Sequence, residues 1–219
     1  MFTQPAKPRA IVFANGELPA GAADRLRPGD WLVAADGGAR HCLALGRTPA
    51  LVVGDLDSLT DAEQTRLEAA GVRWERHPPA KDETDLELAL LSAARAGAAF
   101  IGVLGALGGR LDMTLGNVLL LAHPALAAVR VELWHGPQTL WLIRPPGGPV
   151  AGQPGDTVSL IPLGGQAEAV TLTGFQYALH AEPLRAGPAR GLSNVLTAPQ
   201  AQVALSAGQL LAVHTPGRA

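Results

Sequence analysis

The chain has 219 residues, of which 47% are hydrophobic and 16% are charged, and its formal net charge is −2. These values predict a globular protein with a sizeable core rather than a disordered tail. The absence of an excess of Lys and Arg excludes the electrostatic footprint of a nucleic-acid-binding protein. A single cysteine, Cys42, excludes an internal disulfide framework and a metal site built from several thiolates.

Targeting and membrane segments are not predicted. The apolar run from Ile11 to Ala14 is too short for the core of a signal peptide and ends in Asn15-Gly16. Later apolar stretches are interrupted by charged residues and proline, so none provides the roughly 20 clean residues of a membrane span. We therefore predict a soluble, cytoplasmic protein.

From residue 9 to about residue 135, short apolar runs alternate with amphipathic runs of helical length. This pattern is typical of βα units on a largely parallel sheet, as in a Rossmann-like domain. The clearest helix is predicted from Thr84 to Ala96, and another from Leu111 to Leu121. The predicted strands are Ala10 to Ala14, Trp31 to Ala35, Leu51 to Val53, Val72 to Glu75, Phe100 to Leu104 and Val129 to Trp134.

After residue 135, Gly and Pro become dense and the helical periodicity disappears. Short β-type runs bounded by turn residues predict a small antiparallel β-sandwich. They are Thr139 to Ile143, Thr157 to Ile161, Ala169 to Thr173, Gln202 to Ser206 and Gln209 to His214. We place the domain boundary near 145, giving an α/β domain over 1–144 and a β-sandwich domain over 145–219.

Aspartates follow the predicted strands of the first domain. Asp36 follows one strand, Asp55 and Asp57 follow the next, and Asp82 and Asp85 lie at the start of a helix. Ligands of open α/β sheets bind at the carboxyl ends of the strands, so these acids are expected to converge. Two carboxylates about 5 Å apart repel by roughly 3 kcal/mol at an effective dielectric constant of about 20, which a bound cation would relieve.

Oxygen ligands without a His or Cys cluster favour a hard cation, and Mg²⁺ combines carboxylates with water and phosphate oxygens. The pattern therefore predicts a magnesium–nucleotide site. The segment Gly54 to Ser58 is equally typical of a turn followed by a helix cap.

Two segments offer groups for phosphate. Lys81 stands beside the acids of a helix start that Thr84 or Asp82 could cap, and its ammonium could hold a phosphate oxygen. The run Gly105 to Arg110 lies between a strand and a helix, where backbone N–H groups and the helix N-terminus attract anions. This run matches neither the dinucleotide fingerprint nor a Walker loop. Arg110 could grip phosphate in a bidentate way while Asp112 holds or orients its neighbours. Asn117 could face base or ribose or simply be a polar surface residue.

Five short motifs occur in order along the chain, and together they resemble the thiamine pyrophosphokinase family. They are Asp36-Gly37-Gly38, Gly54-Asp55-Leu56-Asp57-Ser58, Lys81-Asp82-x-Thr84-Asp85, Gly108-Gly109-Arg110-x-Asp112 and Gly191-Leu192-Ser193-Asn194. The resemblance spans nearly the whole chain, including the change from α/β to β texture.

The resemblance implies a magnesium-dependent enzyme that transfers the diphosphate of ATP to the hydroxyl of thiamine. It implies a homodimer with the active site at the subunit interface. Asp36, Asp55, Asp57, Asp82 and Asp85 are the implied catalytic acids, with Asp55, Asp57 and Asp85 as metal ligands. The implied nucleotide-binding residues are Gly37, Gly38, Lys81, Thr84, Arg110, Asp112 and Asn117, and the implied thiamine-binding residues are Ser193 and Asn194.

One position departs from the family pattern, since Met113 stands where the family often has His. Asp36 or Asp82 is the candidate acceptor for the proton of the alcohol. Trp134, Trp141, Phe175 and Tyr177 are the aromatic candidates for stacking on thiamine. Two alternatives remain at this point: a pyrophosphokinase for another hydroxymethyl heterocycle such as a pterin alcohol, and a non-catalytic nucleotide or metabolite sensor.

Overall fold

The computed structural model describes residues 9–217, which divide into two compact units, one ending at Gly136 and the other beginning at Pro137. Strand β7 lies between this division and the boundary near 145 that the sequence predicts, and that boundary stays a prediction.

The first unit is a parallel α/β sheet. Its strands are β1 (Arg9–Phe13), β2 (Trp31–Ala35), β3 (Leu51–Gly54), β4 (Arg73–Arg76), β5 (Phe100–Leu104) and β6 (Arg130–His135). Their spatial order is β6-β5-β1-β2-β3-β4, and every neighbouring pair is parallel. The helices are α1 (Ala39–Ala44), α2 (Asp61–Ala69), α3 (Asp85–Arg95) and α4 (Leu111–Leu119), and short 3-10 segments lie between β1 and β2, before α1 and after α4. The predicted α/β fold class is confirmed.

Continuous apolar runs form the central strands, because helices cover a parallel sheet on both faces. Residues 10–13 of β1 and 101–104 of β5 are all buried. Helix α3 buries one apolar face, with Leu86, Ala89, Leu90 and Ala93 turned to the protein interior. Thr84 begins this helix as its N-cap, accepting a hydrogen bond from the Glu87 N–H over 3.1 Å. The N-cap places Asp85 in the first turn of α3.

The second unit consists of two antiparallel sheets. One has the order β12-β9-β14-β7 and the other β11-β10-β13-β8. The strands are β7 (Gln138–Ile143), β8 (Gly147–Ala151), β9 (Thr157–Pro162), β10 (Ala167–Thr173), β11 (Leu179–Leu184), β12 (Asn194–Val195), β13 (Gln200–Ala204) and β14 (Leu210–Thr215). Leu160 and Leu210 from the first sheet share one buried cluster with Val150, Leu172 and Val203 from the second. A core between two sheets is the arrangement of a β-sandwich, as the sequence predicts.

The sequence prediction gives no bounds for several elements. Strand β8 contains Gly147, Gly148 and Pro149, residues that favour turns, and it is stable here because it pairs with β13 alone, at a sheet edge where proline is tolerated. Helix α2 lacks an apolar face, and a capping box between Thr60 and Glu63 stabilises its start.

Within residues 9–217, no helix has both the length and the apolar character of a membrane span.

One buried acid fixes the C-terminal strand of the second unit. Asp156 precedes β9 and accepts hydrogen bonds from the Gly217 N–H over 2.7 Å and from the Gln153 N–H over 2.8 Å. His214 on β14 lies with Nε2 2.8 Å from an Asp156 carboxylate oxygen. The two backbone N–H groups, then His214, lower the pKa of Asp156 from 3.8 to about 2 against the effect of burial. The ionised carboxylate therefore ties β14 to β9.

We predict that Asp156→Asn destabilises the protein at pH 7. The amide keeps the shape but leaves one buried donor without an acceptor, which costs about 1–3 kcal/mol of unfolding free energy. Because the folded-state pKa is depressed, the contribution of the carboxylate is fully present above 3.8 and is lost as the pH falls toward 2.

Urea unfolding at pH 7 and at pH 2.5 would measure this loss, with Asp24→Asn as the control at an exposed position. The difference between wild type and Asp156→Asn should shrink at about pH 2.5 as the native carboxyl becomes protonated. Equal stability of both variants at pH 7 would contradict the prediction.

Candidate active site

A cavity of about 700 Å³ lies at the carboxyl ends of the central strands of the first unit. Asn15 follows β1, Asp36 follows β2, Asp55 follows β3 and Gly105 follows β5, and all four line the cavity. A parallel sheet brings these strand ends to one edge, so residues from distant parts of the sequence meet there. The volume is in the range of a small-molecule site.

Three carboxylates meet in this cavity. Asp36, Asp55 and Asp57 each place an oxygen within 4.8 Å of the others. Asp36 is only 4% exposed, and its buried Oδ1 has no hydrogen-bond partner among residues 9–217. A buried carboxylate oxygen without a partner is costly unless a ligand meets it. The all-oxygen donor set and the unpartnered Asp36 oxygen fit a hard divalent cation.

The backbone at the ends of β2 and β3 makes this approach possible. Asp36 has φ 42, in the left-handed region that residues other than glycine seldom adopt, and it lines the cavity at the end of β2. Gly54 has φ 148, and a Cβ there would lie 3.0 Å from Asp36 Cβ and 3.0 Å from Asp85 Oδ1. The Asp57 N–H donates to Asp55 Oδ1 over 3.2 Å, which holds the loop after β3. Glycine at position 54 thus leaves room for the carboxylates on either side.

Lys81 joins two of the acids. Its Nζ lies 3.2 Å from Asp55 Oδ2 and 3.1 Å from Asp85 Oδ1. Burial raises the pKa of Asp85 above its usual range, with the charges of Asp55 and Asp36 adding to the effect and Lys81 opposing it. Burial also works to raise the pKa of Asp55, but hydrogen bonds from the Asp57 N–H and Lys81 outweigh it and the pKa falls. Burial lowers the pKa of Lys81, and its bonds to Asp85 and Asp55 more than reverse this.

The glycine-rich loop after β5 forms another wall of the cavity. Gly105, Ala106, Gly108, Gly109 and Arg110 all line it. The Gly16 N–H donates to the Gly105 carbonyl over 2.9 Å, which ties this loop to the end of β1. Asn117, on α4, is buried and donates through Nδ2 to the Ala106 carbonyl over 2.7 Å. The observed contact of Asn117 therefore supports the loop from behind, although Asn117 also lines the cavity.

Arg110 and Asp112 form an exposed pair at the rim. Arg110 Nε lies 3.1 Å from Asp112 Oδ1, and the second bond, from a guanidinium nitrogen to Oδ2, is 2.6 Å long. The Arg110 side chain is 74% exposed, and only Arg110 of the two lines the cavity. This guanidinium is positioned for an anion entering from solvent, because an exposed ion pair exchanges partners at little cost.

The remaining predicted residues of the first unit differ in their placement. Gly37 and Gly38 are buried behind Asp36, where a Cβ on Gly38 would lie 2.0 Å from the Phe13 carbonyl. Their observed role is close packing of the turn against β1.

Thr84 lines the cavity as the cap of α3, whereas Asp82 is exposed and outside the cavity lining. Met113 lines the cavity at the position where a histidine is frequent in the resembled family.

Ser193 and Asn194 lie in the second unit. Ser193 has φ 53, and its N–H donates to Ser159 Oγ over 3.0 Å. Asn194 is buried: its Oδ1 accepts from the Tyr177 N–H and the Val195 N–H, and its Nδ2 donates to the Tyr177 carbonyl. Its amide thus holds the segment that carries Tyr177. Asn194 also lines a second cavity, of about 300 Å³, together with Tyr177, Arg190 and Leu192.

The four aromatic candidates separate clearly by exposure. Trp134, Trp141 and Phe175 are buried in the cores of the two units. Tyr177 is 61% exposed and lines the second cavity. Of these four residues, Tyr177 is therefore the one available to a ligand.

Sequence reasoning assigned no role to several residues of the larger cavity. Asn15, Glu17, Ser58 and Glu83 line it, and a Cβ on Gly108 would lie 3.0 Å from Glu17 Oε2. Asn15-Gly16 is first of all a turn signal. The strand-end rule that selects Asp36 and Asp55 also applies to the end of β1, and it would have identified Asn15.

Comparison with known proteins identifies the family. The sequence model of the catalytic domain of thiamin pyrophosphokinase matches residues 23–133, and that of its vitamin B1 binding domain matches residues 149–210. The chain belongs to the thiamin pyrophosphokinase family. The resemblance found from the five motifs is thereby confirmed, and neither alternative, the pterin-type enzyme or the sensor, gains support from these matches.

Individual members of the family show the same relation. A thiamine pyrophosphokinase of Bacillus subtilis is 28% identical over 184 residues, which cover 84% of this chain and 86% of that protein. The crystal structure of thiamine pyrophosphokinase from B. subtilis has a TM-score of 0.85 and 26% identity over 95% of this chain and 99% of the other. That of thiamin pyrophosphokinase from Geobacillus thermodenitrificans has a TM-score of 0.82 and 27% identity, covering 94% and 96%.

We predict that Gly54→Ala destabilises this family member. The new Cβ would press on Asp36 and Asp85, and φ 148 is unfavourable for alanine, so the unfolding free energy should fall by about 1–3 kcal/mol. Urea denaturation would measure the change. Gly116→Ala is the matched control, because nothing lies within 4 Å of its Cβ position on helix α4 and alanine there should be neutral or stabilising. A Gly54→Ala variant as stable as wild type would show that Asp36 and Asp85 can move away from a Cβ at position 54 without cost.

Proposed function

We propose that the protein transfers the diphosphate group of ATP to the hydroxyl of thiamine, giving thiamine diphosphate and AMP. The observation that carries this proposal is the meeting of Asp36, Asp55 and Asp57 with Lys81 in one cavity at the strand ends. The match to both the catalytic and the vitamin B1 binding domains of the family supports it. The relatives from B. subtilis and G. thermodenitrificans bear the corresponding name.

We assign Mg²⁺ to the acidic cluster. Asp55 and Asp57 would hold it, with Asp36 supplying a third oxygen from its unpartnered Oδ1. Asp85, the third metal ligand that the family resemblance implies, lies on the same cavity and pairs with Lys81. When bound, the cation would neutralise charge on the phosphate oxygens of ATP and orient them.

The residues around the cluster would bind the triphosphate. Lys81 supplies a buried ammonium at the acids, and Arg110 supplies a guanidinium at the rim. The loop over residues 105–110 and the N-terminus of α4 add backbone N–H groups, which Asn117 steadies through the Ala106 carbonyl. Such positioned charges are the main source of catalysis in phosphoryl transfer.

In the proposed reaction, the hydroxyl oxygen of thiamine attacks the β-phosphorus of ATP. A new bond forms from this oxygen to the β-phosphorus, the bond from the β-phosphorus to the oxygen of the α-phosphate breaks, and AMP leaves with that oxygen. The hydroxyl proton passes to a carboxylate. Of the two candidates, Asp36 lines the cavity and Asp82 does not, so we favour Asp36, through the carboxylate oxygen that the cation does not occupy.

The acceptor side of the reaction is assigned to the second unit. Tyr177 is the exposed aromatic there, and Asn194 fixes its backbone. Thiamine carries a permanently positive thiazolium ring, and cations are attracted to the face of an aromatic ring. We propose that Tyr177 contacts thiamine and that Ser193 and Asn194 shape this region.

We further propose a homodimer with the active site at the subunit interface. Leu111, Leu115 and Leu119 recur every fourth residue along α4, and all three are exposed. Exposed apolar stripes of this kind are typical of interaction surfaces.

A cytoplasmic location of the protein stays a prediction from the sequence.

We predict that the purified protein, given ATP, thiamine and Mg²⁺, forms AMP and thiamine diphosphate in equal amounts. Asp57→Asn should lower the rate at least about 100-fold, because it removes a charged oxygen from the cation that neutralises the phosphates. Chromatographic detection of both products would measure the rate.

Asp61→Asn is the matched control, an exposed aspartate in the first turn of α2, and it should retain full activity. A pterin alcohol in place of thiamine should give no AMP. Full turnover by Asp57→Asn would overturn the metal assignment. Release of AMP with the pterin alcohol but not with thiamine would overturn the assignment of the acceptor.

We predict that Tyr177→Ala raises the KM for thiamine about 10-fold and leaves the KM for ATP unchanged, since the ring would contact only the acceptor. Tyr177→Phe keeps the aromatic face and should behave nearly as wild type. Steady-state kinetics with each substrate varied in turn would measure both constants. An unchanged KM for thiamine in Tyr177→Ala would show that the ring does not contact this substrate.

A further inference from the structure

Lys81 is a cationic side chain in direct contact with two acids of the larger cavity. Its side chain is only 10% exposed, and Nζ lies 3.2 Å from Asp55 Oδ2 and 3.1 Å from Asp85 Oδ1. Asp55 is also a member of the three-carboxylate cluster with Asp36 and Asp57. The ammonium and a divalent cation therefore share Asp55 as a ligand.

Other cationic side chains of the described region are less suited to neutralise these acids. Arg110 lines the cavity but is exposed and bonded twice to Asp112. Arg40 interacts electrostatically with Asp36. Its guanidinium, however, donates hydrogen bonds to Glu63 and to the Ser58 carbonyl. Among residues 9–217, Lys81 is thus the cationic side chain that forms ion pairs with Asp55 and Asp85.

We propose that Lys81 is an internal counter-ion that competes with the divalent cation for Asp55 until a triphosphate accepts its ammonium. This inference rests on the proposed function, because it assumes that the cluster binds Mg²⁺ and that Lys81 contacts phosphate. A cation arriving alone must compete with the Lys81 ammonium for Asp55, and the partly buried ammonium would then keep Asp85 as its remaining carboxylate partner. A cation arriving with a nucleotide offers phosphate oxygens to Lys81 in exchange.

The consequence is that Lys81 makes the binding of metal conditional on the nucleotide. Opposite charges within hydrogen-bonding distance in a partly buried site interact strongly, so their separation disfavours the metal-bound state of the free protein. Linkage requires the reciprocal effect, so that the metal strengthens nucleotide binding by the same factor. The protein would then discriminate against free divalent cations and against nucleotide without metal.

The test is a titration of the nucleotide-free protein with Mn²⁺, a spectroscopically visible substitute for Mg²⁺. Lys81→Met keeps the length of the side chain and removes its charge, and it should bind Mn²⁺ about 10-fold more tightly than wild type, within the usual range of coupling between sites. Arg47→Met is the matched control, because Arg47 is exposed and the variant loses the same charge. Its affinity for Mn²⁺ should equal that of wild type.

A Lys81→Met variant that binds Mn²⁺ no more tightly than wild type would overturn the proposal. A gain of equal size in Arg47→Met would also overturn it, since the effect would then be one of net charge. Lys81→Gln provides a second, polar replacement, and circular dichroism would confirm that each variant is folded. The increase in melting temperature on adding Mn²⁺ should be larger in both Lys81 variants than in wild type.

These measurements contain neither ATP nor thiamine, so they separate this inference from the proposed reaction. Absence of AMP formation in wild type together with tighter Mn²⁺ binding by Lys81→Met would refute the reaction and support the counter-ion. AMP formation in wild type with unchanged Mn²⁺ binding by the variant would do the reverse.

Discussion

Repulsion between carboxylates at one edge of a parallel sheet is the constraint on which the rest of this site depends. The fold brings the ends of β2 and β3 together, and with them Asp36, Asp55 and Asp57. Such a cluster persists only if positive charge stands close by. Lys81 supplies that charge within the chain, and the same carboxylates offer oxygen atoms that would suit a divalent cation. The protein therefore satisfies the electrostatic requirement of its fold with a group that, in our proposal, exchanges a carboxylate for a phosphate when the nucleotide binds.

The backbone around the acids adopts conformations that lower the stability of the folded protein but bring the carboxylates together. Asp36 adopts φ 42 and leaves a buried oxygen without a partner among the described residues, and Gly54 is held at φ 148 between two carboxylates. Strained and unpaired groups of this kind persist where the surrounding structure fixes them, and they concentrate at functional sites. Buried strands such as β1 and β5 supply that support. The unfavourable conformations at the strand ends thus lie next to strands that are almost completely buried.

Strand ends were the features that the sequence predicted best, because a continuous apolar run and the acid after it are both local signals. Trp31–Ala35 and Phe100–Leu104 match their predicted bounds, and the cavity forms where the strand-end rule places it. The direction of a side chain on a helix depends on packing that sequence does not show. Asn117 consequently supports a loop from a buried position, and Asp112 pairs with Arg110 in solvent. Strand β8 was not predicted because its glycines and proline favour turns. It is a strand in the structure because it pairs with β13.

The two cavities differ in charge in a way that matches the two proposed substrates. The larger cavity combines acids with Lys81 and Arg110, as a metal–triphosphate requires. The smaller one is lined mainly by apolar groups and Tyr177, and its Arg190 is paired with Glu182. Arg190 holds the pKa of Glu182 below its usual range, so the pair stays ionised and its charges cancel near neutral pH. A free guanidinium would repel a thiazolium ring, whereas a balanced pair leaves the aromatic face as the main attraction for a cationic acceptor.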